Sequence, residues 1–270
     1  MGLKTLFKAG LMLDLYFFKN NRAAFISMLL WPYLVLSLIL GMGTIFGNPE
    51  SFKAKVGMEV DPIVYFVAST FVALSSIDVM WGVGGQILSQ RWIGTLPYTL
   101  LAPYRTSVTL VVSYVPRYLL SISINILEFA PLIVIVSGAY QGVLKLGVLF
   151  LAATIGMFPL LGFSALFASL LLTIREESNI LGWLNPIILL FSGAFYPAYL
   201  LPYWARLISQ ALPTTYTIEL ARTAALLSSP DLAHVTFLIG LLAGITVVYN
   251  FVAYLVIGAG ERKAMREGAI

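Results

Sequence analysis

QILSQRWIGTLPYTLLAPYRT, residues 86–106, decides how this chain is read. Apolar runs of membrane-spanning length flank it, and within it stand Gln90, Arg91, Arg105, several hydroxyls, Pro97 and Pro103. Arginine and unpaired backbone groups are costly in hydrocarbon, so this break lies in water or at a membrane surface. The segment is too long for a minimal hairpin turn, and Ile93, Leu96, Leu100 and Leu101 recur at helical spacing. Two readings follow. One is a short amphipathic helix held under the membrane, where another protein can press on it; the other is a basic loop that only fixes topology.

The 270 residues are 60% hydrophobic and 10% charged, with a mean hydropathy of +0.93. Soluble domains carry about 25% charged residues, so the composition is that of an integral membrane protein. The 16 basic and 12 acidic groups leave a net charge of +4. The basic groups lie beside apolar spans rather than on one soluble face, which argues against nucleic acid as a partner. There is no cysteine, hence no disulfide or thiolate chemistry, and the lone histidine, His234, precludes a multi-histidine metal site within one chain.

A bilayer core of about 30 Å takes about 20 helical residues. The chain divides into six such spans: 23–46, 62–87, 107–140, 146–174, 179–195 and 234–260. Gln141–Lys145 is expected as a tight turn, and 47–61 and 175–177 as short polar loops. Leu3, Leu6, Phe7, Leu11, Phe17 and Phe18 mark one face of an interfacial helix over about 3–22, with a flexible basic tail as the alternative. No cleaved signal is read there, because Asp14 interrupts the apolar stretch and no small-residue cleavage site follows. Between 193 and 230 the sequence is too polar to cross again and too rich in Leu, Tyr and Trp for a solvated loop. Pro197, Pro202 and Pro213 cut it into pieces of one to three turns, a pattern of re-entrant short helices. The expectation is a single all-α permease-like domain over 1–270.

With both termini, 88–106 and 175–177 on one side, that side holds ten basic residues (Lys4, Lys8, Lys19, Arg22, Arg91, Arg105, Arg175, Arg262, Lys263, Arg266). Opposite stand five: Lys53, Lys55, Lys145, Arg206 and Arg222. The positive-inside rule puts the ten in the cytoplasm. Asp78, Arg117 and Glu128 fall within spans, where an ionisable group is a functional candidate. Asp78 and Arg117 sit about 14 and 18 Å from the cytoplasmic edge, matched for a structural ion pair. Glu128 and Asn125, one turn apart, face a translocation path or a dimer contact. His234 is read as interfacial rather than as a ligand. Pro116, Pro131, Pro159 and Pro186 mark kinks, and Gly240 with Gly244 forms a small-xxx-small pair that permits close helix approach.

No nucleotide-cradling Gly-x-x-x-x-Gly-Lys-[Ser/Thr] motif, G-x-S-x-G elbow or His-Glu metal spacing occurs, so no catalytic or metal residue is assigned. The chain resembles a type-2 ABC transporter permease, the six-span membrane subunit of ATP-binding-cassette exporters. QRWIGTLPYTLLAPYRTS (90–107) is similar to that family's loop between its second and third spans, matching at Arg91, Gly94, Thr95, Leu96, Leu100, Leu101, Pro103 and Arg105. SGAFYPAYLLPYWARLISQALPTTYTIELAR (192–222) resembles the family's Ser-Gly, aromatic-Pro, Leu-Pro and Pro-Thr-Tyr run, ending in Glu219 and Arg222. Where the family loop commonly carries acidic residues around Gly-Thr-Leu, this one has Trp92 and Pro97. The resemblance implies a second permease copy, lipid contact in a plasma membrane, and a separate ATPase subunit, carrying ATP and Mg, docked on 88–104. It also implies an outer gate over 193–222, offered here by Phe195, Tyr196, Tyr199 and Tyr203. A stand-alone ion-coupled transporter is the alternative, although related halves are not seen in the sequence.

Overall fold

A computed structural model describes residues 3–45, 62–101, 105–173, 180–226 and 231–266. All regular structure among them is helical. In chain order the helices are α1 Leu3–Asn20, α2 Arg22–Ile45, α3 Pro62–Ile93, α4 Leu96–Leu100, α5 Thr106–Ser137, α6 Ala139–Thr173, α7 Ile180–Phe191, α8 Tyr203–Ala211, α9 Pro213–Leu226 and α10 Leu232–Arg266. Helices α3, α5, α6 and α10 each hold a stretch long and apolar enough to cross a bilayer, and α1 with α2 forms a pair bent by 99° at Asn21. The protein is an all-α membrane protein with several such helices.

Helix α3 is the axis of the bundle. Its residues 64–76 are buried without interruption, and α2, α5, α6, α7 and α9 all pack on it. Ala68 and Ala73 are fully buried in this stretch, and short side chains permit close helix approach. Its hydroxyl protons are satisfied within the helix: Ser69, Thr70, Ser75 and Ser76 donate to the carbonyls of Tyr65, Phe66, Phe71 and Val72 one turn back, at 2.7–2.8 Å. At Gly82 an added Cβ would run into the ring of Tyr114 on α5.

Helix α10, by contrast, is largely exposed and leans chiefly on α6. There Gly162 meets the Tyr249–Asn250 backbone: an added Cβ would stand 2.6 Å from the Asn250 nitrogen. Asn250 Nδ2 donates to the Phe158 carbonyl at 2.9 Å, and Ser169 Oγ to that of Val256 at 3.0 Å. Gly240 and Gly244, the small pair singled out in the sequence, have no atom of the chain within 4 Å of an added Cβ. Close approach uses Gly162 instead.

Several boundaries differ from the sequence expectation. Gln141–Lys145 is not a turn. It forms the opening of α6, and the reversal is made by Gly138 alone, at φ +78°, a conformation that favours glycine. Lys145 reaches back to donate to Ser137 Oγ at 3.0 Å. Of the expected fifth span, the described helix is α7, Ile180–Phe191. The chain then turns at Gly193 (φ +81°) and returns through a 3₁₀ turn at Ala198–Leu200, α8 and α9, a division into short pieces that the prolines signalled. α9 is inserted deeply between α3, α6 and α10. The four prolines read as kinks lie inside α5, α6 and α7. The 47–61 and 175–177 loops lie outside the described residues, and so does the end of the re-entrant segment beyond 226.

Candidate functional site

Three places gather the candidate residues. The first is the junction of α3 and α5. α3 runs past the expected edge at 87 to Ile93 and closes with Gly94 at φ +77°. The Gly94 N–H donates to the Arg91 carbonyl (3.1 Å) and the Thr95 N–H to that of Gln90 (2.8 Å), a glycine-terminated cap that satisfies the helix's last carbonyls. The five-residue α4 follows, with Pro97 in its first turn. Leu96 is buried and Leu100 packs against the core. Arg91 donates to the Leu171 carbonyl at the end of α6, 2.7 Å away, and the Arg105 guanidinium lies 4.6 Å from the Tyr254 ring centre on α10.

The residues carried over from the family loop therefore divide. Arg91, Leu96, Leu100 and Arg105 bind the segment to the bundle, Gly94 and Thr95 form its turn, and Leu101 points away. What the segment offers outward is Leu101 with Trp92, Ile93 and Tyr98, each 66–77% exposed. Those last three were not singled out as contacts in the sequence. Their signal was available, since two aromatic residues beside a basic break are unusual for a solvated turn.

The second place is a cavity of about 500 Å³ between the α1–α2 elbow and the α3–α5 pair. Asp78 and Arg117 both line it. The Asp78 carboxylate receives the Tyr114 hydroxyl at 3.1 Å. Ser121 and Asn125 continue the polar lining, and Phe17, Phe18, Trp31 and Trp81 form the walls. The Trp81 indole is fixed by Asn185 Oδ1 on α7 at 3.0 Å. Tyr114, Arg117, Ser121, Asn125 and Glu128 are spaced 3, 4, 4 and 3 along α5, within about 80° of arc at 100° per residue. They make one polar stripe on a membrane helix. Glu128 is 7% exposed. Its backbone carbonyl accepts from the Tyr33 hydroxyl on α2, but neither carboxyl oxygen has a hydrogen-bond partner among the described residues.

The third place, at the opposite end of the bundle from α4, is a cavity of about 360 Å³ whose lining includes Tyr65, Ser192, Tyr199, Glu219, Arg222 and His234. Arg222, counted from the sequence among the loop cations, is 8% exposed. Its guanidinium donates to Ser69 Oγ (2.8 Å) and to the carbonyls of Gly193 (2.8 Å) and Ala194 (3.1 Å), and it lies 3.8 Å from the Tyr65 ring centre. The one side chain fastens α9 and the turn after α7 to the central helix. His234 Nε2 lies 3.1 Å from Glu219 Oε1, so the histidine does have a partner. Asp231 Oδ1 accepts from the Ala233 and His234 N–H groups at 3.0 and 3.4 Å, capping α10. Of the four gate aromatics, Tyr199 enters this cavity and Phe195 packs against the core. Tyr196 donates to the Leu190 carbonyl at 2.9 Å, and Tyr203 is exposed.

Among the described residues no cluster of His, Cys, Asp or Glu has the makings of a metal site. No protein-family model matches the chain, and no curated protein does so either.

Proposed function

We propose that this chain is the membrane subunit of an exporter, a type-2 ABC permease that works as a pair of copies and is driven by a separate ATPase docked on residues 88–104. Six spans then place both termini in the cytoplasm of a plasma-membrane protein, with α7 to α9 together forming the fifth span and the re-entrant outer segment. ATP and Mg belong to the partner subunit. The observation that carries this reading is the outward group Trp92 and Ile93 at the end of α3, Tyr98 on the short α4 and Leu101 just after it, at a junction fastened to the bundle by Arg91 and Leu96. Motion imposed on α4 passes directly into α3, the helix on which five others pack, and rigid-body movement of that helix rearranges the bundle.

The test is whether a neighbouring gene encodes such an ATPase and whether the two chains co-purify. Arg91→Glu is the simplest charge reversal in this segment. Because Arg91 holds the end of α6, that change would also loosen the bundle, and the docking test belongs on Trp92 and Tyr98. Replacing both with alanine removes two aromatic anchors worth about 2 kcal/mol each in a typical interface. At least a tenfold loss of bound ATPase is expected, with the thermal midpoint unchanged. Undiminished ATPase binding and transport by that double variant would remove the docking role.

A second reading, an ion-coupled carrier working alone, is favoured by one observation: the buried Glu128 carboxyl has no partner. Transport that survives ATP depletion and is abolished by Glu128→Gln would decide for the carrier.

A further inference from the structure

The cations of α1 all stand on one side of the helix. At about 100° per residue, Lys4, Lys8 and Lys19 fall within about 60° of helical arc. Gly10, where α1 meets the Ser113 carbonyl of α5, lies about 120–180° round from them, so the lysine row is turned away from the bundle. All three lysines are exposed, and none has a hydrogen bond or ion pair among the described residues. Arg22, also exposed, follows at the start of α2. Among and beside the lysines stand Met12, Leu15 and Tyr16, each 45–59% exposed.

The Gly10 contact also sets where α1 lies along the bundle. Ser113 follows the start of α5 at Thr106 by two turns, about 10 Å, at the end of the bundle that carries Arg105 and α4. The 99° elbow at Asn21 lays α1 across the direction of α2. That placement matches interfacial amphipathic helices, which sit about 5–10 Å into the boundary between heads and acyl chains, and lysine stems are long enough to reach the heads from there. The row runs over about 22 Å of helix. A single small anion would meet only Lys4 and Lys8, one turn apart, whereas a surface of anions meets every cation. Acyl chains cover the apolar side chains between the lysines, which a strongly acidic soluble partner would not.

From this one-sided lysine row, its apolar neighbours and the position fixed by Gly10, we infer that α1 binds phospholipids of net negative charge at the membrane surface on the α4 side of the bundle. Lys4, Lys8 and Lys19 reach the lipid phosphates, and Met12, Leu15 and Tyr16 lie against the acyl chains. Each basic residue held at an anionic surface strengthens the attraction about fivefold, so three together select strongly against zwitterionic lipid. This does not rest on the ATPase reading, because lipid selection belongs to this chain alone.

The experiment uses the purified full chain in mixed micelles holding equal amounts of phosphatidylglycerol and phosphatidylcholine with matched acyl chains, the retained lipid being counted by native mass spectrometry. Phosphatidylglycerol is expected to be retained at least tenfold over phosphatidylcholine. The triple variant Lys4→Gln, Lys8→Gln, Lys19→Gln should bring that preference to threefold or less with an unchanged thermal midpoint. Lys145→Gln removes a cation beyond the far end of α5, where it donates to Ser137, and should keep the full preference. No preference in the parent, an undiminished preference in the triple variant, or an equal loss in Lys145→Gln overturns the inference. Displacement of the lipid by equimolar glycerol phosphate also overturns it, because the occupant would then be a soluble anion.

Discussion

Replacing Arg222 with alanine is expected to destabilise the bundle by about 2–4 kcal/mol. Three hydrogen bonds from a charged donor are lost, each worth about 1.5–3 kcal/mol, together with a desolvated cation–π contact of about 2 kcal/mol. Against this, the variant no longer carries the desolvation penalty of a buried guanidinium, which amounts to several kcal/mol. The loss wins because the Gly193 and Ala194 carbonyls and the Ser69 hydroxyl remain buried with a partner missing. Arg222→Lys keeps the charge but not the planar fork or the stacking on Tyr65, and should recover less than half of the deficit. Thermal unfolding in detergent measures both. A midpoint for Arg222→Ala within 2 °C of the parent would show that the guanidinium is not the fastening it is taken to be.

The second large effect lies on the other side of the bundle. Gly162→Val places its first carbon 2.6 Å from the Asn250 nitrogen and 2.7 Å from the Tyr249 carbonyl carbon. Both obstacles are backbone, so no rotamer relieves them and the two helices must part. Overpacking of this kind costs about 1–3 kcal/mol. Here separation also stretches the Asn250–Phe158 and Ser169–Val256 hydrogen bonds on either side, so the upper end of that range is expected. Gly240→Val is the contrast, since nothing stands within 4 Å of its added carbon, and its effect should fall within about 0.5 kcal/mol, as for other surface changes. Unfolding midpoints for the pair check the ordering. Equal effects would mean that the Gly162 contact is not what holds α10.

Hydropathy marked the long helices well, because runs of twenty apolar residues have few other uses. It failed where polarity and backbone geometry part company. Gln141 and Lys145 suggested a turn by their chemistry, yet the turn needed only the positive φ of Gly138, and Lys145 was free to point back at Ser137. Composition also says little about which apolar helix is central. α3 and α10 have similar hydropathy, but one is sheathed and the other exposed. The difference is how many helices pack on α3, and that is read only from the folded bundle.

The site was legible in part. Asp78 and Arg117, close in expected depth, line one cavity. The α5 stripe from Tyr114 to Glu128 was present in the spacing, although only its charged members attracted notice. Arg222 was hidden by its setting among prolines and tyrosines, which reads as a loop. Burial of that arginine depends on Tyr65 and Ser69, more than 150 positions away in the chain, and no local pattern carries a contact of that range.

The inward-folded hydroxyls of α3 bear on how the protein is made. This helix leaves the ribosome before α5, α6 and α9, the elements that will surround it, exist. A newly inserted segment with unmet donors would be drawn towards any polar neighbour in the lipid. Ser69, Thr70, Ser75 and Ser76 bring their acceptors with them, so the nascent segment waits in the bilayer with those four donors already satisfied.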